Sequence, residues 1–154
     1  MTSQFDFSND EWEHVAMTPV LVGMAVAKAE DSGFLGSLRE TRTLVASIAP
    51  QDDGNAAQGL IDQAAATDTK DKYDAFKSGS PDVLAEAAVT ACRELKTILA
   101  AVATPEEAAD FARWVIDVAQ SVAEAAKEGG VRISAGEAAL INELRATLGV
   151  DPSA

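Results

Sequence analysis

The carboxylates beside two glycine-containing turns have the clearest capacity for chemistry in this sequence. Hard divalent cations such as calcium need several carboxylate or carbonyl oxygens that converge on a flexible turn. Acidic residues flank a first turn at Gly33 and a second turn at Gly130. We predict no cofactor other than a divalent cation, whose ligands would be Glu30, Asp31, Glu40, Glu128 and Glu137. Neither turn has the alternating Asp or Asn positions of an EF-hand, so ordinary solvated helix ends are the competing interpretation.

A catalytic nucleophile paired with a base is not recognisable in the sequence. His14 is the only histidine and Cys92 the only cysteine, and neither lies in a local signature of a cysteine–histidine enzyme. Cys92 falls beside the apolar stripe of the helix predicted at 81–103, where a free cysteine usually packs as a small hydrophobe. This stripe follows from a spacing of three or four residues and consists of Leu84, Ala88, Ala91, Leu95, Ile98 and Val102. We therefore predict a structural Cys92, a structural or solvated His14, and a protein that is not an enzyme.

The charge balance limits the partners. Twelve basic residues against 25 acidic ones leave a net charge of −13, which repels phosphate backbones and anionic lipid headgroups. We predict no nucleic-acid partner; a divalent cation or a basic protein surface fits the charge better. The longest apolar stretch, residues 15–29, is interrupted by Thr18, Pro19 and Lys28 and is too short for a bilayer, which takes about 20 apolar residues. With no secretory signal at the start of the sequence, we predict a cytoplasmic protein without an integral membrane segment.

The elements that must position these residues are predicted to be helices. Hydrophobic residues make up 47% of the chain and aromatic residues only 5%, and much of the apolar content is alanine, the strongest helix former. Trp12 and Trp114 are expected to anchor the core, because each can bury a large apolar area. No segment alternates apolar and polar residues as a half-buried strand would. The length fits one domain, and short connections between helices favour a compact bundle.

Caps and helix breakers set the predicted boundaries. The capping-box spacing of Ser8 and Glu11 opens the first helix, and Ser80–Pro81 and Thr104–Pro105 open two later ones. Gly149 is predicted to end the last helix. The segment 1–7 is expected to be disordered, 67–80 is left unassigned apart from one or two short turns, and 150–154 is expected to be flexible. The predicted helices span residues 8–30, 35–48, 56–66, 81–103, 105–128 and 134–148.

An internal duplication is also suggested by the sequence. Residues 25–40, AVAKAEDSGFLGSLRE, align with residues 122–137, VAEAAKEGGVRISAGE, at a displacement of 97 positions. Each copy has an alanine-rich helix end, a glycine, and a serine three residues before a glutamate. Because capping chemistry offers few solutions, chance recurrence is the alternative. A true duplication would make the fold two pseudo-repeated helical hairpins.

The same regions resemble a known family. VGMAVAKAEDSG (22–33) and EGGVRISAGEAALINELRATLGVDP (128–152) look like the TerB-like tellurite-resistance and stress proteins, which are bacterial, all-helical and of similar length. In that family the acidic turns are linked to divalent-metal binding. The resemblance therefore implies metal-binding roles for Asp31, Glu40, Glu128 and Glu137. The family's turns usually read Asp-Gly, whereas Ser32 separates the acid from the glycine here.

Three functions remain open from the sequence. The first is a bacterial, non-enzymatic interaction module that binds another protein, which could be a second copy of the chain. Its motivation is the lack of a catalytic constellation together with small-residue surfaces such as Gly23-x-x-x-Ala27. The second is a TerB-like stress-response protein that binds divalent cations at its acidic turns. The third is an enzyme whose polar pocket the sequence does not reveal.

Overall fold

The structure is a computed structural model that describes residues 2–29, 56–67, 69, 71, 74–75, 79–127 and 135–150. Within these residues the regular secondary structure is entirely helical. A short 3-10 turn at Gln4–Asp6 precedes the α-helices. The helices are α1 (Asn9–Ala29), α2 (Gln58–Ala66), α3 (Pro81–Val102), α4 (Pro105–Lys127) and α5 (Ala135–Leu148). Contacts between helices far apart in sequence hold them in a bundle. The predicted all-α class is confirmed, whereas the helix predicted at 35–48 lies outside the described residues.

Helix α1 lies at the centre of this bundle. It contacts α2, α3, α4 and α5, and every residue from Val15 to Val26 is buried. The sequence explains this position, because a helix that is apolar on all sides can only be stable when it is covered on all sides. Pro19 lies inside α1 and lacks a backbone N–H. Thr18, the residue immediately before it, donates its hydroxyl to the carbonyl of His14 one turn earlier at 2.6 Å, so this polar group is satisfied although it is fully buried.

Helices α3 and α4 pack through the residues that the sequence periodicity selects. The predicted apolar stripe of α3 is buried or half-buried along its length, from Leu84 to Val102. Both tryptophans are in the core: Trp12 is 9% exposed and Trp114 is 1% exposed. The predicted core roles of both residues are confirmed, and the neighbouring ring of Phe111 packs edge-on against Trp114 at 5.4 Å.

Most predicted helix ends agree with the structure. The Ser80 hydroxyl accepts from the Val83 amide at the start of α3, and Gly149 ends α5 with a φ of 73°. The Val150 amide donates to the Arg145 carbonyl at 3.0 Å, which is the six-residue bond of a Schellman motif. A glycine is favoured at this site because its left-handed conformation strains other residues.

The start of α2 differs from its prediction by two residues. Sequence alone placed the first helical residue at 56, whereas α2 begins at Gln58 and residues 56 and 57 form a turn. The Ala56 amide donates to the Asp110 carboxylate of α4 at 2.8 Å. This long-range bond satisfies the amide in a turn conformation, so the helix starts later.

Residues 2–7 form an N-terminal strap across α2 and α4. Composition predicted disorder for 1–7, but the structure gives 2–7 defined hydrogen bonds. Both the amide and the hydroxyl of Thr2 donate to the Glu107 carboxylate, and the Gln4 amide donates to the Gln63 side chain at 2.8 Å. Phe7 is buried in the core. The difference arises because these partners lie about 60 to 100 residues away, beyond the reach of a local pattern.

Helices α1 and α4 begin in the register of the suggested duplication. Displaced by 97 positions, α1 would occupy residues 106–126, and α4 covers Pro105–Lys127. The starts of the two helices therefore agree within one residue, and both helices run to the edge of a described range. The turns that carry most of the internal similarity lie outside the described residues, so the duplication itself stays a prediction.

Candidate functional site

A cleft of about 450 Å³ lies between α1 and α3. We call it the α1–α3 cleft. Its volume falls within the range of pockets that bind ligands or partner side chains. The described residues that line it are Glu13, His14, Met17, Thr18, Leu21, Val83, Glu86, Ala87, Thr90, Ala91 and Glu94.

The floor of the α1–α3 cleft is apolar and comes mainly from α1. Met17 is 6% exposed and Leu21 is 4% exposed, so each lies in the core with only a small area facing the cleft. These residues are one helical turn apart, which places them on the same side of α1. Ala91 of α3 is also buried, and its small side chain leaves space above the floor. The cleft therefore gives an outside group access to the core.

One face of α3 supplies the wall of the cleft. Val83, Ala87, Thr90 and Glu94 recur every three or four residues, so they lie along one side of the helix. From the first to the last, this face spans about three turns and about 16 Å. Val83 is 53% exposed and extends the apolar surface beyond the floor. It is one of only two large hydrophobic side chains that are mainly exposed within the described ranges.

The rim of the cleft is acidic. Glu13 of α1 and Glu86 and Glu94 of α3 are all exposed at its edge. His14 Nε2 pairs with a carboxylate oxygen of Glu94, joining the two helices at one end of the cleft. Both side chains are about half exposed, at 43% and 51%, so solvent screens this pair and its contribution to stability is small. His14 can offset the charge of Glu94 only when the imidazole is protonated.

The described lining of the cleft carries few nucleophilic side chains. Among the described lining residues, the only hydroxyl groups belong to Thr18 and Thr90, and no cysteine, lysine or arginine is present. The Thr18 hydroxyl is already bonded to the backbone of α1. What the cleft offers an incoming group is an apolar floor and a negative rim.

Cys92 has the buried position that the sequence predicts. Its thiol is free and fully buried, and burial raises the pKa of Cys92 to about 12. The thiolate is the reactive form of cysteine, so at neutral pH this side chain is a protonated thiol that packs as a small hydrophobe. Its predicted position beside the apolar stripe of α3 is confirmed.

A second cleft, of about 320 Å³, lies where α3, α4 and α5 meet, and its charge is opposite. Its described lining is mostly alanine and leucine, with Lys96 and Arg113 as the only charged residues. Arg113 bonds to Asp110 at 2.9 Å. Lys96 lies close to Gly149 at the end of α5, where a cation offsets the negative end of the helix dipole. Both cations thus have structural roles, and the two clefts differ in the sign of their charge.

Glu107, in the first turn of α4, is a buried carboxylate that the sequence analysis did not identify as a candidate residue. It is 4% exposed and accepts hydrogen bonds from the Thr2 amide, the Thr2 hydroxyl and the Thr104 amide at 3.0, 2.6 and 3.0 Å. Burial by itself would raise the pKa of Glu107, but the hydrogen bonds from Thr2 and Thr104 outweigh burial and lower it. The carboxylate is therefore ionised at neutral pH and holds the N-terminal strap against α4.

The predicted metal ligands remain without a structural test. Glu30, Asp31, Glu40 and Glu128 lie outside the described residues, and Glu137 lies in α5 with a side chain that is likewise outside them. Within the part of the chain that the structure describes, no group of three or more His, Cys, Asp or Glu side chains could hold a metal ion. The two acidic turns lie outside this part of the chain, so the metal site stays a prediction.

The sequence did not reveal the α1–α3 cleft, although it contained one signal. Glu86 and Glu94 lie two turns apart on α3, which resembles an ordinary solvated face. Only the approach of α1 turns that face into a wall with an apolar floor beneath it. That signal is Val83, a large apolar residue on this otherwise small and polar face, which the structure shows to be 53% exposed.

The comparisons with known proteins leave the resemblance to the TerB-like family as a prediction. None of the helices in the described ranges is long and apolar enough to cross a membrane. Comparison of the chain with protein-family models, with curated proteins and with solved structures gives no match.

Proposed function

We propose that this chain is a non-enzymatic interaction module that binds another protein through the α1–α3 cleft. The observation that carries the proposal is the access to the core that the cleft provides. Met17 and Leu21 belong to the packed interior, yet they form the floor of a space of about 450 Å³ beside a solvent-exposed wall. A side chain from a partner can complete this packing.

The energetics favour an apolar side chain as the group that enters. Burying a leucine, methionine or phenylalanine side chain contributes about 1.5–3 kcal/mol. Met17 can adjust its rotamer to the shape of the incoming group, because methionine is unbranched and polarisable. Val83 adds apolar contact at the wall, where its exposure of 53% leaves area to bury. Residues that fill well-packed pockets in this way carry most of the binding energy of protein interfaces.

Filling the cleft tests the proposal. Ala87 lines the wall and is half-buried, so Ala87→Leu places a larger side chain in the cleft. Ala146→Leu, on the exposed side of α5, is the matched control. A peptide library is selected on the wild-type protein, and the affinities of the selected peptides are measured by fluorescence anisotropy on all three proteins.

The expected result is a loss of binding of at least about tenfold on Ala87→Leu, equal to about 1.4 kcal/mol, with no change on Ala146→Leu. Circular dichroism must show that both variants are folded. A selection that yields only peptides insensitive to Ala87→Leu contradicts the proposal. Light scattering on the same proteins identifies a second copy of the chain as the partner if Ala87→Leu converts a dimer into a monomer.

A further inference from the structure

We infer that the α1–α3 cleft is specific for an amphipathic helical segment whose apolar anchors are flanked by lysine or arginine. This inference rests on the proposed function, since it names the kind of partner that the same cleft accepts. It follows from the shape of the wall, the charge of the rim and the contrast with the second cleft.

The wall has the dimensions of a short helix. Val83 and Glu94 mark its ends, about 16 Å and three helical turns apart. Between them the wall carries Ala87 and Thr90, with Ala91 buried beside them, and the small alanine side chains let another helix approach closely. A partner helix of about three turns presents anchors at positions i, i+3 or i+4, and i+7, which is the usual pattern of helix-in-groove recognition. The apolar floor of the cleft lies beside this wall and would contact the anchors of the partner helix.

The rim selects the charge of that partner. Glu13, Glu86 and Glu94 place carboxylates on both helices that border the floor. Lysine and arginine can lay their aliphatic stems along an apolar surface while the charged group reaches such a rim. An acidic segment would meet like charges here and again in the net charge of −13, which costs affinity and slows association.

The second cleft shows that this charge pattern is local. At the junction of α3, α4 and α5, Lys96 and Arg113 are the only charged residues of the described lining. Helix α3 therefore carries carboxylates on the face beside α1 and a lysine on the face beside α5. A basic segment therefore matches the first cleft better than the second.

Two synthetic peptides of about 14 residues test the inference, a length chosen to give at least three helical turns. Both carry leucine at the same four positions of one face; one has lysine and the other glutamate at the flanking positions. Affinities are measured by fluorescence anisotropy at about 0.02 M and about 0.2 M salt, where screening differs strongly. The proteins are wild type, the double variant Glu86→Gln/Glu94→Gln, the control Glu143→Gln on an exposed site of α5, and Ala87→Leu.

We expect the lysine peptide to bind the wild-type protein at least about tenfold more tightly than the glutamate peptide does at low salt. This preference should shrink at the higher salt and in the double glutamine variant, and should persist in Glu143→Gln. If both peptides bind equally and both lose affinity on Ala87→Leu, the inference is overturned and the proposed function stands. If the lysine peptide binds equally well to Ala87→Leu, the attraction is only to charge, and both are overturned. Binding of the glutamate peptide alone also overturns the inference.

Discussion

Helices α1 and α4 begin with the same capping chemistry and differ in what covers it. In α1 the Ser8 amide donates to Glu11 at 2.8 Å and the Glu11 amide donates to the Ser8 hydroxyl at 3.1 Å. In α4 the Thr104 amide donates to Glu107 at 3.0 Å and the Glu107 amide donates to the Thr104 hydroxyl at 3.2 Å. The first box lies at the surface, whereas Glu107 in the second is 4% exposed beneath the N-terminal strap.

The difference separates local from long-range causes. Four consecutive residues are enough to form either box, because each side chain bonds a backbone amide three residues away. The burial of Glu107 comes from Thr2, which is 105 positions distant in the chain. The same local motif thus begins α1 at the surface. In α4 it also anchors a separate segment of the chain, the N-terminal strap.

Removing each glutamate should expose this difference in stability. Glu107→Ala leaves the Thr2 amide, the Thr2 hydroxyl and the Thr104 amide without their acceptor. Hydrogen bonds to charged groups are strong and their loss leaves desolvated donors, so we expect a decrease in unfolding free energy of about 2–4 kcal/mol. Glu11→Ala loses one bond at an exposed helix start, for which we expect about 0.5–1 kcal/mol. Urea denaturation of both variants measures the two values.

Thr2→Val separates the strap from the cap within this comparison. It removes the hydroxyl donor to Glu107 and keeps both the Thr2 backbone amide and the capping box of α4. We expect a loss of about 1.5 kcal/mol, between the two glutamate variants, because the hydroxyl donates to a charged group. A Thr2→Val protein as stable as wild type would mean that the strap adds nothing, and equal losses in Glu107→Ala and Glu11→Ala would agree with that result.

Lowering the pH should weaken the buried capping box of α4 by protonating the carboxylate of Glu107. The pKa of Glu107 is lower in the folded protein than its ordinary value, so its ionised form stabilises the fold above the pKa of the unfolded chain, about 4.3. That contribution is lost as the pH falls through the lower folded pKa. The gap in unfolding free energy between wild type and Glu107→Gln should therefore be larger at neutral pH than well below pH 4, in urea titrations at each pH. A gap that is equal at both pH values would contradict the lowered pKa, and Glu11→Gln is the reference for a capping glutamate at the surface.

Local rules were enough for most of the fold and for little of the site. The stripe of α3 and the caps at Ser8, Ser80 and Gly149 depend on residues within a turn or two, and they were read correctly. The strap and the late start of α2 depend on Glu107 and Asp110, which approach from distant positions. The α1–α3 cleft is likewise a product of two helices meeting. No periodicity within α3 contains that information.

The comparison of α1 with α4 extends to the turns that follow them, where Asp31 and Glu128 are 97 positions apart in the sequence. If the chain is duplicated and TerB-like, both turns should bind a divalent cation, and the native protein should melt at a higher temperature when it is present. A cation at about ten times its Kd adds about 1.4 kcal/mol, which raises Tm by about 3–6 °C in a chain of this size.

Thermal melts with calcium, magnesium, manganese and zinc, repeated on Asp31→Ala and Glu128→Ala, measure this shift. Loss of the rise in both variants would support equivalent turns, and loss in one alone would limit the site to a single turn. An unchanged Tm with every cation would rule out the metal hypothesis, leaving the similarity of the two turns as a consequence of helix-capping chemistry alone.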